Sequence, residues 1–213
     1  MKSFIAGLAL VGTVAAEART SAPEGCVTVS ASGGDFSTVQ EAVDSDATCV
    51  FLAAGTYSEQ VFVEERSAQF TIYGETDDTL SYAGNKATIT SGKSQADGLN
   101  NDETATLRVH SADFKLYNVN VDNSYGEGSQ AVALSAQADS GYYGSAFTGF
   151  QDTVLANDGA QLYANSLIVG ATDFIFGQKA PAWFEACDIQ VVAKDLGYIT
   201  GKQPKPPLID SIH

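Results

Sequence analysis

Two columns of residues recur every 21 positions in the second half of this sequence. Residues 131–134 (AVAL) are followed by 152–155 (DTVL) and then by 173–176 (DFIF), so both steps are 21 residues (152 − 131 and 173 − 152). A second column keeps the same step at Ser145, Ser166 and Cys187. Self-similarity at a fixed period is typical of solenoids. The pattern therefore predicts turns of chain stacked on one another.

The segments around these columns are rich in residues that favour β-strands. Short runs of this kind lie at 70–73, 87–90, 106–109, 114–121, 131–134 and 198–200. Gly, Asn, Asp and Ser separate them, as turns between strands require. Strand-rich units of this length predict an all-β fold, a parallel β-helix in which each unit is one coil. A two-sheet sandwich is the alternative, but it gives no reason for two columns to keep one interval.

The first 18 residues have the composition of a secretory signal peptide. Lys2 precedes an apolar run at 4–14 that is too short to span a bilayer, and small residues follow. Cleavage after Ala16 or after Ala18 fits equally well. We expect a secreted, extracellular protein with a signal peptide at 1–18, a β-helix domain at 19–200 and a Pro-rich tail at 201–213. Apolar residues at 36, 39 and 43 predict one short helix near the start of the domain.

Charge and cysteine content exclude several kinds of partner. The chain has 11 Lys and Arg against 26 Asp and Glu, a formal net charge of −15, so neither nucleic acid nor an anionic membrane is expected to bind. Two histidines and three cysteines without C-x-x-C spacing leave little material for a zinc site. An oxidising compartment permits Cys26 to pair with Cys49 and leaves Cys187 without a partner; three buried thiols are the alternative.

The 21-residue register places chemically useful side chains next to each other. Asp152 and Asp173 become neighbours on adjacent coils about 4.8 Å apart, and Gln130 and Gln151 do so as well. Two such carboxyls cannot both ionise freely, so we expect one of them to have a raised pKa. That arrangement suits one carboxyl to acid catalysis and the other to nucleophilic attack. The amides could donate hydrogen bonds to an oxygen that becomes negative in a transition state.

A purely structural ladder is the competing interpretation, because β-helices commonly stack like residues. Charge favours a reaction centre, since stacked aspartates repel each other whereas stacked amides do not. Aromatic side chains are expected around the acidic pair, where they would lower the local dielectric and stack on a sugar ring. These are Phe150, Phe174, Phe176 and Trp183.

Four motifs resemble those of the pectin methylesterases, particularly the secreted fungal type. They are GTYSE at 55–59, GSQAVAL at 128–134, FTGFQDTV at 147–154 and ATDFIFG at 171–177. The resemblance runs from about residue 27 to residue 200. It implies a right-handed parallel β-helix that hydrolyses the methyl esters of polygalacturonate and releases methanol, with neither a metal nor an organic cofactor. The expected partner is pectin, bound by a monomer.

The resemblance also assigns roles to individual residues. It makes Asp173 the nucleophile and Asp152 the general acid that protonates departing methanol and then, as a base, activates water. Gln130 and Gln151 match the amides that stabilise the oxyanion. Glu59 matches a residue expected to be structural, whereas Phe150, Phe176 and Trp183 are expected to contact substrate.

The sequence departs from the family pattern after Thr200. A later family motif, LGRPW, supplies an arginine that pairs with the catalytic aspartate, and this chain has no such segment. Prolines at 204, 206 and 207 cannot donate to a strand ladder, so the solenoid is expected to be incomplete and to stop there. The alternatives to an active esterase are an impaired homologue that binds pectin without turnover, or a pectate lyase or glycoside hydrolase on the same solenoid. A lyase needs an acidic Ca²⁺ cluster and an arginine base, and Arg66 and Arg108 have no acidic ladder beside them.

Overall fold

The computed structural model describes residues 16–193 and 195–201. Most of the expected signal peptide and nearly all of the Pro-rich tail lie outside these residues. The described chain forms many short strands with two short α-helices, α1 (Val39–Val43) and α2 (Asn101–Thr104). Two 3₁₀ turns lie at Tyr82–Gly84 and Gln95–Asp97. The fold is therefore almost entirely β, as the turn-rich strand pattern predicts.

The strands follow one another in a regular three-part cycle. In chain order they are β1 (Val27–Val29), β2 (Cys49–Leu52), β3 (Gly55–Ser58), β4 (Val61–Val63), β5 (Phe70–Gly74), β6 (Ala87–Ser91), β7 (Leu107–Val109), β8 (Phe114–Tyr117), β9 (Asn120–Asn123), β10 (Leu134–Ala136), β11 (Ser140–Tyr143), β12 (Ala146–Thr148), β13 (Val154–Ala156), β14 (Gln161–Ala164), β15 (Leu167–Gly170), β16 (Ile175–Phe176), β17 (Ala182–Glu185), β18 (Asp188–Val191) and β19 (Thr200–Gly201).

Three parallel sheets form the walls of a β-helix. The first sheet has the order β1-β2-β5-β8-β11-β14-β17, the second β3-β6-β9-β12-β15-β18 and the third β4-β7-β10-β13-β16-β19. From β2 onward each coil contributes one strand to each wall and then passes to the next coil, whereas the described part of the first coil contributes only β1. This arrangement confirms the parallel β-helix and shows that the two-sheet sandwich is wrong.

The 21-residue step is confirmed in the later coils, with one local exception. Leu167 pairs with Asp188 and Val154 with Ile175, which are steps of 21 residues. Leu134 pairs with Val154, a step of only 20, so the expected alignment of Leu134 with Leu155 is wrong by one residue. The cause is a bulge, because the carbonyl of Thr153 accepts N–H bonds from both Ala133 (2.9 Å) and Leu134 (3.1 Å).

The earlier coils are longer and unequal. The step between paired residues is 44 from Phe70 to Phe114, 32 from Thr88 to Asn120 and 26 from Ala146 back to Asn120. Much of the extra length lies between β6 and β7, where residues 92–106 contain the second 3₁₀ turn and α2. We call residues 92–106 the insertion. Sequence periodicity does not reach this part of the solenoid.

Apolar side chains from all three sheets fill the interior. Tyr142 and Tyr163 stack with their ring centroids 4.8 Å apart, and Phe184 continues the stack 4.7 Å further on. These distances match the spacing of parallel strands. The core is therefore a stack of layers, one for each coil, in which like side chains lie above one another.

Residues with left-handed backbone lie at all three corners of the solenoid, including Asp113 (φ 56°) and Gly159 (φ 76°) between the third and first sheets. At the corner between the first and second sheets, successive coils place Asn118 (φ 56°), Gly144 (φ 54°), Asn165 (φ 50°) and Ala186 (φ 49°). At the corner between the second and third sheets, two residues have the same conformation, Asp152 (φ 65°) and Asp173 (φ 47°). Asn, Asp and Gly are the residues that tolerate this conformation best.

The N-terminal end of the solenoid is covered and cross-linked. Helix α1 begins with a capping box made by Thr38 and Glu41, and the carboxylate of Glu59 accepts the backbone N–H groups of Val39 and Gln40 at 2.9 Å each. The short helix and the structural role of Glu59 are thereby confirmed. Cys26 and Cys49 form the expected disulfide, and Cys187 is a free thiol.

Candidate active site

The register brings Asp152 level with Asp173 on neighbouring coils. Gln151 forms a parallel bridge with Thr172, and the N–H of Asp152 donates to the carbonyl of Thr172 at 3.1 Å. In a parallel ladder this bond sets Asp152 beside the residue that follows Thr172, which is Asp173. Both aspartates adopt the left-handed corner conformation, so both coils turn in the same way at this point.

The two carboxyls differ in their surroundings. Asp152 is buried, with 7% of its surface exposed, whereas Asp173 is half-buried. Burial, together with the nearby charge of Asp173, raises the pKa of Asp152 to about 7. Asp152 therefore carries a proton over much of the range below neutral pH, and the expectation of one raised carboxyl pKa is met.

The two glutamines also lie next to each other. The N–H of Ala131 donates to the carbonyl of Gln151 at 3.1 Å, which sets Gln130 beside Gln151 just before the bulge. Both glutamines are half-exposed. They directly precede Ala131 and Asp152, so the amide pair lies one residue before the corner that carries the acidic pair.

A cleft of about 430 Å³ runs along the outer face of the third sheet, and its volume is in the range of small-ligand sites. Its lining includes apolar side chains from the sheet and polar ones from the insertion: Gln95, Asn100, Asn101, Asp102, His110, Gln137, Leu155, Asn157, Phe176, Gly177 and Gln178. Of the predicted site residues, Phe176 lines this cleft, whereas Gln130, Gln151, Asp152 and Asp173 are not among its lining residues. A larger hollow of about 720 Å³ beside α1 is lined by none of the predicted site residues.

The predicted aromatic contacts do not all gather here. Phe176 lines the cleft and packs with Leu155 on the outer face of the third sheet. Phe150 is half-buried directly before Gln151. Phe174 lies in the core with no exposed surface, so it cannot stack on a sugar ring as expected. Trp183 is 67% exposed and lies on the first sheet. The seven residues from Phe176 to Trp183 are enough for the chain to turn from the third sheet to the first.

The insertion contributes side chains that the 21-residue pattern did not reveal. The Nε2 of Gln95 donates to the Oδ1 of Asn101 at 2.6 Å, and the Asn101 side chain partly offsets the rise in the pKa of Asp152. Residues 94–97 and 100–103 each form a capping box. Those two short patterns were the available signal that this segment is ordered.

Asp102 fixes the insertion to the third sheet. Its carboxylate accepts hydrogen bonds from Arg108 (2.6 Å) and from Ser135 (2.7 Å), and it lies 3.0 Å from the Nε2 of His110. Burial raises the pKa of Asp102, but the hydrogen bonds from Arg108, His110 and Ser135 outweigh burial, so that its pKa lies below the usual range. Asp102 therefore stays ionised beside the cleft.

Within 16–193 and 195–201, no group of three or more His, Cys, Asp or Glu side chains is placed to hold a metal ion. In the same part of the chain no helix has the length and apolar character needed to cross a bilayer.

Comparison with known proteins identifies the family. Residues 26–202 match the Pectinesterase family model. A pectinesterase from Aspergillus niger is 44% identical over 200 residues, covering 90% of this chain and 60% of the relative, and a probable pectinesterase A from Neosartorya fischeri is 47% identical, covering 94% and 64%. This chain thus spans about 60% of the length of the relatives it matches.

Solved structures agree with the sequence matches. The crystal structure of the pectin methylesterase from Aspergillus niger superposes with a TM-score of 0.83 at 44% identity, covering 90% of this chain and 64% of that one. The pectin methylesterase from carrot gives a TM-score of 0.76 at 28% identity, covering 88% and 60%. Because the family match covers most of the sequence and the folds coincide, this chain belongs to the pectinesterase family.

Proposed function

We propose that this chain hydrolyses the methyl esters of pectin to give pectate and methanol. The observation that carries the proposal is the pairing of two unlike carboxyls at one corner. Asp152 is buried with a pKa of about 7, and the half-buried Asp173 lies beside it. One acid in its protonated form next to one carboxylate suits an ester hydrolysis in two steps.

In the first step, the carboxylate of Asp173 attacks the carbonyl carbon of the methyl ester. The C–O bond to the methoxy group then breaks, and Asp152 gives its proton to the departing oxygen, so that methanol leaves. An acyl group remains on Asp173 as an anhydride. Asp152 is now a carboxylate.

In the second step, Asp152 takes a proton from a water molecule, and the resulting hydroxide attacks the acyl carbonyl. The bond to Asp173 breaks, which releases the galacturonate carboxyl and restores both aspartates to their starting states. General acid–base assistance of this kind contributes about 10²–10⁴-fold to a rate.

The amides of Gln130 and Gln151 are proposed to stabilise the oxyanion that forms in both steps. Their adjacency before the corner supports this role, because donors placed where negative charge develops act strongly in a shielded site. Phe176, which lines the cleft, is proposed to contact a sugar ring, and Phe150, directly before Gln151, is proposed to contact substrate as well. Trp183, on another wall, has no part in this proposal.

We also propose that the protein acts outside the cell. The signal-peptide pattern at 1–18 supports this, and so does the Cys26–Cys49 disulfide, since disulfides persist in oxidising compartments. The substrate, a cell-wall polysaccharide, is found in the same place.

Product analysis tests the proposal against its rivals. The protein is incubated with highly methyl-esterified pectin, and methanol, unsaturated chain ends and reducing ends are measured. We expect methanol without new chain ends. Unsaturated ends would identify a lyase, reducing ends a glycoside hydrolase, and binding without any product an impaired homologue; each of these results overturns the proposal.

A further inference from the structure

Four polar side chains form a continuous series of hydrogen bonds along the cleft on the third sheet. The Nδ2 of Asn157 donates to the Oε1 of Gln137 at 2.8 Å, and the Nε2 of Gln137 donates to the Oγ of Ser135 at 2.8 Å. The Oγ of Ser135 donates to the Oδ1 of Asp102 at 2.7 Å. The series thus joins two coils to a carboxylate of the insertion. We call these four side chains the Asp102 network.

The solenoid register places the two amides of the network beside each other. Strands β10 and β13 pair in register, so Gln137 and Asn157, which directly follow these strands, lie level on adjacent coils. Both residues line the cleft, as does Phe176. Asp152 precedes β13 and Asn157 follows it. Asn157 therefore lies on the same coil as the proposed general acid, at the opposite end of one short strand.

The carboxylate of Asp102 determines the direction of the bond from Ser135. The Nε and Nη2 of Arg108 both donate to the Oδ2 of Asp102, at 3.1 and 2.6 Å, and this pairing favours the ionised carboxyl. A carboxylate can only accept hydrogen bonds, so the single proton of the Ser135 hydroxyl points to Asp102. The oxygen of Ser135 is then left to accept a hydrogen bond from Gln137.

The orientation of both amides follows from that hydroxyl. Because the Ser135 oxygen accepts, Gln137 turns its NH₂ group toward Ser135 and its carbonyl oxygen toward Asn157. A carbonyl oxygen can only accept, so Asn157 turns its NH₂ group toward Gln137. The Oδ1 of Asn157 takes no part in the network. It is an acceptor with a determined orientation, on a residue that lines the cleft.

We propose that Asn157 is a specificity-determining residue, whose oriented carbonyl oxygen accepts a ring hydroxyl of a bound pectin sugar and disfavours a free galacturonate carboxylate at the same place. The inference rests on the proposed function, because it takes pectin as the ligand of the cleft. A sugar hydroxyl can donate to this oxygen, whereas a carboxylate can only accept and is repelled by it. The Asp102 network therefore favours release of the demethylated product.

The nearby cations are already paired with carboxylates. Arg108 lies 2.6 Å and His110 3.0 Å from Asp102, and Lys179 lies 3.2 Å from Asp158. No lysine or arginine of the described residues lines the cleft. Since a free carboxylate finds no unpaired lysine or arginine there, hydrogen-bond donors decide how well it binds.

The test is the dissociation constant of fully demethylated polygalacturonate, measured by isothermal titration calorimetry on the full chain. Ser135→Ala removes the hydroxyl, and a water molecule in its place has two protons and can serve either end of the Gln137 amide. Gln137→Met removes the bond to Asn157 and leaves Ser135 bonded to Asp102. In both variants the Asn157 amide can reverse and offer its NH₂ group. We therefore expect about tenfold tighter binding, the effect of one hydrogen bond to a charged group.

Two further variants separate the amide from a general loosening of the cleft. Asn157→Ala lacks the acceptor, so KM for highly esterified pectin should rise about fivefold, and Ser135→Ala added to it should not tighten polygalacturonate binding. Ser124→Ala removes a hydroxyl that donates to the Ser91 carbonyl at 3.2 Å outside the cleft. It is the matched control, with both constants unchanged. None of these substitutions alters the net charge, so the overall repulsion of the polyanion is the same throughout.

The outcomes for this inference differ from those for the proposed function. The role of Asn157 is overturned if Ser135→Ala and Gln137→Met bind polygalacturonate within about twofold of the unaltered protein, or show no measurable binding. An equal tightening in Ser124→Ala overturns it as well. If the unaltered protein releases no methanol from pectin, the proposed function fails, while calorimetry still decides whether the Asp102 network disfavours the carboxylate.

Discussion

The later coils and the insertion contribute to the same cleft by opposite means. In the later coils, residues 21 apart lie side by side, and this repetition alone sets Asp152 beside Asp173. The insertion has no period. It is held by capping boxes and by one half-buried carboxylate, Asp102. The comparison indicates that regular coils supply the proposed reacting groups, whereas the irregular chain between coils contributes polar side chains to the cleft.

The strongest test of the regular part is Asp173→Asn. An amide cannot act as the nucleophile, so kcat for methanol release is expected to fall by at least about 10⁴-fold, while the left-handed corner is retained because Asn tolerates it. The same substitution at the exposed Asp158 is the matched control and should leave kcat unchanged. An unchanged kcat in Asp173→Asn would show that this repeated aspartate is not the nucleophile.

Asp152→Asn tests what the acidic pair does to stability. The pKa of Asp152 is about 7 in the folded protein and about 3.9 in the unfolded chain. The protonated form therefore stabilises the fold fully below about pH 4, and this contribution is lost as the pH rises to about 7. Replacement by a neutral amide should therefore raise the free energy of unfolding at pH 8 by about 2–4 kcal/mol and change it little at pH 4.

The measurement is urea unfolding of Asp152→Asn and the unaltered protein at both pH values. Asp158→Asn should show no such pH-dependent gain, because that carboxyl is exposed. Equal stability of Asp152→Asn and the unaltered protein at pH 8 would show that ionised Asp152 does not destabilise the fold.

Gly201→Ala tests how closely the last described strand approaches the corner. A Cβ on Gly201 would lie 2.7 Å from the Cβ of Asp173 and 3.1 Å from its Oδ1, so the carboxyl must move. We expect kcat to fall about 10²-fold, the typical effect of misplacing a reacting group by about 1 Å. Gly92→Ala, where the new Cβ meets only the Ser124 hydroxyl at 3.3 Å, is the control in the same assay.

Asp102→Ala tests the insertion and is expected to have the smallest effect. It leaves Arg108 and Ser135 without their shared acceptor, which should lower the free energy of unfolding by about 1–3 kcal/mol. Asp77→Ala removes an exposed ion pair with Lys86 and should barely move the urea midpoint. If the two variants unfold alike, Asp102 does not anchor the insertion.

The repeating coils of the molecule were predictable from the sequence. The adjacency of Asp152 to Asp173, and that of the two glutamines, were predictable. In stacked parallel strands, residues one period apart lie side by side. The bulge at Ala133 was not predictable, because the extra residue in this strand does not change the 21-residue spacing of the sequence motifs. Trp183 was misplaced because closeness along the chain does not reveal which wall a strand joins.

The positions of Asn101 and Gln95 could not be predicted from the sequence, for a different reason. The main-chain bond from Gln95 to Gln130 joins segments that share no repeat, so no spacing in the sequence relates them. The capping patterns at 94–97 and 100–103 predict local turns, but they do not say which coil those turns lie against. Only the fold supplies that information.

The left-handed corner also suggests how such a site can originate. Any residue at positions 152 and 173 must adopt positive φ, and Asn and Asp do so with similar ease. The backbone there would be the same for an inert column of amides as for an acidic pair. Since single-nucleotide changes interconvert Asn and Asp codons, a solenoid of this kind can acquire carboxyl chemistry at a corner without rebuilding its frame.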